Sequence, residues 1–395
     1  MNITSTIAGF GGLLGLLLAL ALYAVNGRNR YANRILASFV AVSSLYLVAL
    51  VPLHGNFSSP YWLVEIIELV AMTLFLSGPI LYSYVRAMTT PGFRLGQRDI
   101  IHMLPFFLLV LSSLLHMATN HHPIDDATTI SVNSNSIGYA SLLGICHYLL
   151  LTLYMLLSLR CLRRYQRRLP NQFSSLQGVS LQWLYILVSL CLGLAVIGGS
   201  IAIARIATDF DFWPRAVYSI SLMLTLYYTI AFKAITQPII FNDMTFNNSL
   251  NNHCVADNTP PAQPQYLTSS LTQAQAVLYR QQLEQVMSKQ QPYLNNELRL
   301  GDLSALTDIP ANHLSQVLNQ QYEQNFFEFI NRHRIEQAKQ LLTSPEHGEL
   351  SMLEVAMQAG FNSQSAFYKQ FKLHVAQTPA QYRRQNTSSK IHATN

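Results

Sequence analysis

Charge is what this chain has least of. Only 11% of its 395 residues are charged, while half are hydrophobic. A soluble globular protein carries about 25% charged residues, so the shortfall points to lipid as part of the solvent. Cysteine is sparse as well. Cys146, Cys161, Cys191 and Cys254 lie far apart and form no CxxC pair, which argues against a disulfide framework or a zinc site. A phosphate-binding glycine loop, a phosphorelay signature and a convincing catalytic triad are all missing. No enzymatic activity and no cofactor is therefore expected.

The charge deficit is uneven. Residues 1–236 hold the apolar excess, whereas residues 237–395 are polar and rich in Gln, Asn and Ser. The first part carries 14 Lys/Arg against 7 Asp/Glu, and the second 11 against 12. Residues 331–395 alone carry 8 basic and 4 acidic side chains.

Seven apolar runs span roughly 8–25, 34–53, 62–85, 100–118, 137–159, 180–204 and 214–236. Each approaches the ~20 residues that cross a ~30 Å hydrocarbon core. Arginines alternate between their connections. "NGRNRYANR", "RAMTTPGFRLGQRD" and "RCLRRYQRRLP" are rich in them, while "HGNFSSP", "NHHPIDDATTISVNSNS" and "TDFDF" have none. The positive-inside rule then places the N-terminus outside and the C-terminus in the cytoplasm. The stretch "MNITSTI" has no positive charge, so the first run is expected to stay as a signal anchor.

Ionisable groups within spans are costly and usually face a cavity or a partner. Glu65, Glu68, His147 and Arg205 are accordingly candidates for a ligand pocket open to the outside. The other reading puts Glu65, Glu68 and Arg205 in interfacial water and has His147 hydrogen-bonded to a neighbouring helix. Gly78 and Pro79 sit within the third run, where proline is expected to kink the helix. His116, His121, His122, Asp125 and Asp126 cluster near one outer loop, a weak signal for a metal. His121 and Asp126 also fit a short acyltransferase spacing, a weaker signal still.

Residues 242–270 are rich in Asn, Ser and Pro and read as a flexible linker and a candidate cleavage site. A chain of ~30 such residues spans ~30 Å and transmits rigid-body motion poorly. Beyond it, Ala276, Tyr279, Leu283, Val286 and Met287 form one apolar helical face within 271–290.

"SMLEVAMQAGFNSQSAFYKQF" (351–371) reads as a helix-turn-helix. Ser351 and Glu354 form a capping box. Met352, Val355, Ala356 and Ala359 make a buried stripe, and Gly360 ends the helix. The next helix begins near Ser363. It turns Phe367 and Phe371 inward and leaves Gln364, Ser365, Tyr368 and Lys369 outward, where amides, hydroxyls and lysine suit base edges or phosphate. A second unit lies in "LRLGDLSALTDIPANHLSQVLNQ". Leu300, Leu303 and Leu306 mark its first helix and Pro310 opens the next. Asn312, His313, Ser315 and Gln316 are expected to face outward. "NFFEFINRHRIEQAKQLL" forms a helical connector from Phe326 to Leu342, ~25 Å long. That length can hold two readers near one DNA turn apart. Arg332, Arg334, Lys372, Arg383 and Arg384 are candidate phosphate contacts.

From Pro292 to Arg384 these motifs, closing with "TPAQYR", resemble the AraC/XylS family of transcription regulators. The resemblance implies two helix-turn-helix units entering successive major grooves, usually to activate transcription. It places the second recognition helix at Ser363 to Lys372. Three residues depart from the family pattern: Ala376 stands where Gly is frequent, Ser304 where Ala is usual, and Gln316 where Arg is frequent. "GPILYSYVRAMT" and "HMLPFF" are similar to the seven-span input domain of some members.

The expected architecture is all-α, a seven-helix transmembrane bundle followed by a double helix-turn-helix. It divides into a membrane sensor (1–236), a linker (237–270), a connecting helix (271–290), the reader (291–386) and a disordered tail (387–395). The expected function is membrane-bound, sequence-specific transcription regulation, with the chain in a bacterial inner membrane. Its expected partners are promoter DNA, membrane lipid, RNA polymerase, a second copy of the chain and a small-molecule or lipid inducer. The DNA-reading set is Asn312, His313, Ser315, Gln316, Arg332, Ser363, Gln364, Ser365, Tyr368, Lys369 and Lys372. The alternative is a transporter or receptor whose helix-turn-helix binds protein.

Overall fold

The computed structural model describes residues 3–24, 30–54, 66–67, 69–70, 72–90, 92–119, 134–176, 179–207, 229, 271–347 and 349–393. Glu65, Glu68, His121, His122, Asp125, Asp126, the run at 214–236 apart from residue 229, and the linker lie outside them. Among the described residues the chain is helical with no strand. One isolated antiparallel bridge joins Phe173 to Arg299. The all-α expectation holds. The chain divides into two compact units. The first is Met1–Tyr165 with Leu181–Asn242, and the second is Gln166–Ser180 with Asp243–Asn395.

In the first unit, α1 is Ile3–Ala24, α2 Arg30–His54, α3 Ser77–Thr89, α4 Leu104–Thr119, α5 Ser134–Arg168 and α6 Gln182–Ala207. Among the described residues, five helical stretches are long and apolar enough to cross a membrane: Ser5–Ala24, Arg30–Ala49, Gln97–Leu115, Leu142–Asn171 and Gln182–Ala204. They coincide with the first, second, fourth, fifth and sixth apolar runs. α5 has 35 residues, ~50 Å at 1.5 Å per residue. It outruns the apolar stretch and carries the arginine cluster on its last turns.

Close approach organises this unit. A Cβ added at Gly12 of α1 would stand 2.7 Å from Val48 Cγ2 and 3.0 Å from the Ser44 carbonyl oxygen of α2. Ser44 turns its hydroxyl back onto the Val40 carbonyl at 2.6 Å, satisfying a buried polar group. Small residues at such a seam let two apolar helices pack backbone to backbone, as helix pairs in lipid do. Pro79 cannot donate to the turn before it. That turn, Thr73–Leu76, winds as a 3-10 helix ahead of α3.

The two stretches resembling a membrane input domain meet at a polar cluster. His102 Nδ1 and the Tyr154 hydroxyl lie 3.2 Å apart, Tyr82 packs against both rings, and Arg86 pairs with Asp99.

The second unit contains α7 (Gln273–Lys289), α8 (Leu300–Thr307), α9 (Ala311–Gln321), α10 (Phe326–Thr343), α11 (Met352–Gln358), α12 (Gln364–Val375) and α13 (Pro379–Ala393). α7 begins at a capping box in which Thr272 accepts from the Gln275 amide. Its apolar face enters the reader's own core through Leu283 and Met287. α13 runs to Ala393.

The seam of α1 and α2 generates a test. Gly12→Leu overfills it at a cost of ~1–3 kcal/mol. It should lower the thermal midpoint of the detergent-solubilised full chain. Gly193→Leu, where an added Cβ meets nothing within 4 Å, should leave the midpoint unchanged.

Candidate nucleic-acid interface

Two cores hold the reader, and α10 serves both. Its N-terminal half gives Phe326, Phe329 and Ile330 to a core with Leu283, Leu300, Leu303, Leu314 and Leu318. Its C-terminal half gives Ile335, Ala338, Leu341 and Leu342 to a core with Val355, Ala356, Phe361, Phe367 and Phe371. α10 has 18 residues, ~27 Å. Asn325 caps it, accepting from the Glu328 amide at 3.0 Å. This matches the expected connector.

Arg334 sits on α10 where one core gives way to the other. It was a candidate phosphate contact, and the structure corrects that. The side chain is 1% exposed and points inward. Nε donates to the Tyr293 carbonyl at 2.7 Å and Nη2 to the Asn295 carbonyl at 2.7 Å. Nη1 donates to the Ser174 carbonyl and Nη2 also to the Ser174 hydroxyl, each at 3.0 Å. Burial lowers its pKa to about 10, which leaves it charged at neutral pH. Arg383 is likewise tied down, donating to the Leu350 carbonyl at 2.7 Å.

The second helix-turn-helix follows its sequence closely. Ser351 and Glu354 cap α11 reciprocally, at 2.8 and 3.2 Å. Gly360 adopts φ +84°, and an added Cβ would collide with the backbone of Tyr293 and Leu294. Only glycine fits that conformation and that contact. Ser363 caps α12 by accepting from the Ala366 amide at 3.3 Å. Gln364, Ser365, Lys369 and Lys372 then lie exposed on one side of α12, while Tyr368 is half-buried against the core.

The first unit departs from expectation. α8 buries Leu300 and Leu303 but leaves Leu306 44% exposed. α9 is enclosed over more of its circumference than its leucines imply. Gln316 is buried at 5%, not outward. The His313 ring stacks on Tyr279 of α7 at 5.9 Å, and its Nδ1 is buried without a hydrogen-bond partner among the described residues. Residues 313, 316 and 317 share a stripe that α7 widens. Asn312 remains exposed and Ser315 half-exposed. Asn319, four residues past Ser315, joins that face and donates to the Ser315 carbonyl at 2.8 Å. The i, i+4 spacing from Ser315 was the signal for it. Arg332 lies half-buried, its guanidinium over the rings of Tyr322 and Phe329 at 5.7 and 5.6 Å.

Of the candidate ligand residues in the first unit, His147 is buried edge-on against Phe75, and its Nδ1 has no hydrogen-bond partner among the described residues. Arg205 lies on α6.

The helix-turn-helix domain family matches residues 303–385. An HTH-type transcriptional regulator of Staphylococcus aureus (strain COL) is 30% identical over 118 residues, which cover 30% of this chain and 15% of that protein. A regulator of the same description from Staphylococcus aureus (strain MSSA476) has the same identity and coverage. The HTH-type transcriptional activator AarP of Providencia stuartii is 33% identical over 95 residues, 24% of this chain and 67% of that protein. The chain therefore spans about 15% of the length of the staphylococcal relatives. No solved structure matches it.

Ala376 closes α12 at φ +60°, a left-handed conformation that costs a side-chain-bearing residue roughly 1–2 kcal/mol. Ala376→Gly should remove that strain and raise the stability of the reader by ~1 kcal/mol in chemical denaturation.

Proposed function

We propose that this chain, which belongs to the AraC-type helix-turn-helix family of transcription regulators, is held in a bilayer by its apolar half and couples a signal there to promoter binding. The likeness of residues 303–385 to helix-turn-helix regulators supports a DNA-binding role. The membrane anchorage, the signal and the residues that read DNA are our proposal.

The observation that carries it is the pairing, in one chain, of helices able to cross a bilayer with a helix-turn-helix reader. The alternation of arginine-rich connections supports a cytoplasmic C-terminal half, the side on which DNA lies. Gln364, Ser365 and Lys369 read base edges in one major groove. Asn312 and Ser315, joined by Asn319, face the next groove. Lys372 and Arg332 neutralise phosphate, and Ser363, Tyr368, His313 and Gln316 support the reading helices from their packed positions. The inducer is a small molecule or lipid bound near Glu65, Glu68, His147 and Arg205 in the outer half of the bundle. The regulator acts as a dimer and recruits RNA polymerase.

Mapping the DNA bound by the full chain identifies the operator. Gln364→Ala combined with Lys369→Ala should then cut occupancy tenfold or more, since a base contact is worth ~1–3 kcal/mol. The amount of protein in the membrane should not change. Undiminished occupancy would favour a helix-turn-helix that binds protein instead. Glu65→Gln with Glu68→Gln should abolish induction and leave operator affinity intact.

A further inference from the structure

One covalent connection between the two units runs through residues 237–270. A second covalent connection exists. The segment between α5 and α6 belongs with the reader, not with the bundle. Phe173 and Ser174 are 6% and 1% exposed there. The strap pairs along the strand-like entry to α8: the Ser174 amide donates to the Leu298 carbonyl at 3.2 Å, and the Leu300 amide to the Gln172 carbonyl at 3.1 Å. Arg299 covers the Phe173 ring at 5.6 Å. From α10, Arg334 and Asn331 both donate to the Ser174 carbonyl, at 3.0 and 3.4 Å. From the turn of the second helix-turn-helix, Asn362 donates to the Ser175 hydroxyl at 2.8 Å.

The strap thus bonds to the entry of the first reading unit, to the connector, and to the residue before the cap of the second recognition helix. It occupies the point at which the spacing of the two readers is set. Its two ends run on into α5 and α6, each long and apolar enough to cross a membrane.

We propose that residues 172–175 are a positioning strap: they hold the two readers at a fixed spacing and hand the state of α5 and α6 to the DNA-binding face. The proposal rests on the regulator reading given above. Ser174 carries it most directly, because its hydroxyl and carbonyl both receive the buried Arg334. These residues touch no DNA and act through Arg334 and Asn362.

Two measurements on the full chain in membranes test it. In the first, a site for a sequence-specific protease is placed within residues 237–270 and cut in situ. The fragment carrying the reader should stay with the membrane pellet. Replacing residues 172–175 by four glycines should raise its release about tenfold or more, given the buried Phe173 ring and the Ser174 and Ser175 hydroxyl bonds lost. Equal release from both chains, whether both stay or both leave, overturns the strap. In the second, occupancy of the mapped operator is compared with that of a copy carrying one extra base pair between the two reader sites. The native chain should discriminate strongly, and the strap-replaced chain should lose most of that discrimination. Simple destabilisation lowers both occupancies and leaves their ratio unchanged, so an unchanged ratio overturns the positioning role. Should the replaced chain fail to accumulate, Ser175→Ala and Asn362→Ala decide. Each should narrow the ratio and the double variant no further than either alone, while no narrowing overturns the proposal. Gln364→Ala with Lys369→Ala in the same occupancy assay tests the regulator reading by itself, and the cleavage result stands apart from it.

Discussion

A buried guanidinium without a carboxylate partner among the described residues is the constraint on which the helix-turn-helix half depends. Arg334 donates to the backbone of Tyr293, Asn295 and Ser174 and to the Ser174 hydroxyl. Taking such a charge out of water costs several kcal/mol. The cost is offset only if each acceptor is in place, because charge-assisted hydrogen bonds are strong and directional. Two stretches far apart in sequence, at Ser174 and at Tyr293 to Asn295, must therefore converge on one side chain. Gly360 tightens the same junction, since its missing Cβ lets the second turn rest on the backbone of Tyr293 and Leu294. The two reading units are bound through this junction as well as through the helix they share.

Local pattern was enough to locate most of the reader. The apolar stripes of α10 and α11, the capping box at Ser351 and the glycine at 360 each depend on residues within one or two turns of one another. Those features stand where periodicity placed them. What local pattern could not convey was enclosure. His313 and Gln316 look outward on a helix considered alone, yet Tyr279 of α7 stacks on His313 and Gln316 is buried. Arg334 looked like a phosphate contact because arginine in a DNA-binding helix usually is one. Its acceptors lie 160 residues away at Ser174 and 41 away at Tyr293, beyond the reach of any spacing rule. Ser304, an apparent departure from the family pattern, also has a structural role: its hydroxyl donates to the Ile309 carbonyl across the turn after α8.

The apolar half was legible as helices for a different reason. A bilayer requires long uninterrupted apolar runs, and that requirement is written in composition. The contacts that specify how α1 meets α2, or how Tyr82, His102 and Tyr154 cluster, are not. They depend on small residues and aromatic edges whose partners composition does not name. The arginine cluster on α5 leads directly into the strap.

The claim that one guanidinium joins both reading units and the strap is tested most directly by amide hydrogen exchange on the full chain, native and Arg334→Leu. The Ser174 and Leu300 amides bond across the strap to Leu298 and Gln172. Both should lose protection together in the variant, while the amides of α12, which rest on the Phe367 and Phe371 core, keep theirs. Native-like protection at Ser174 and Leu300 without the guanidinium would contradict the account.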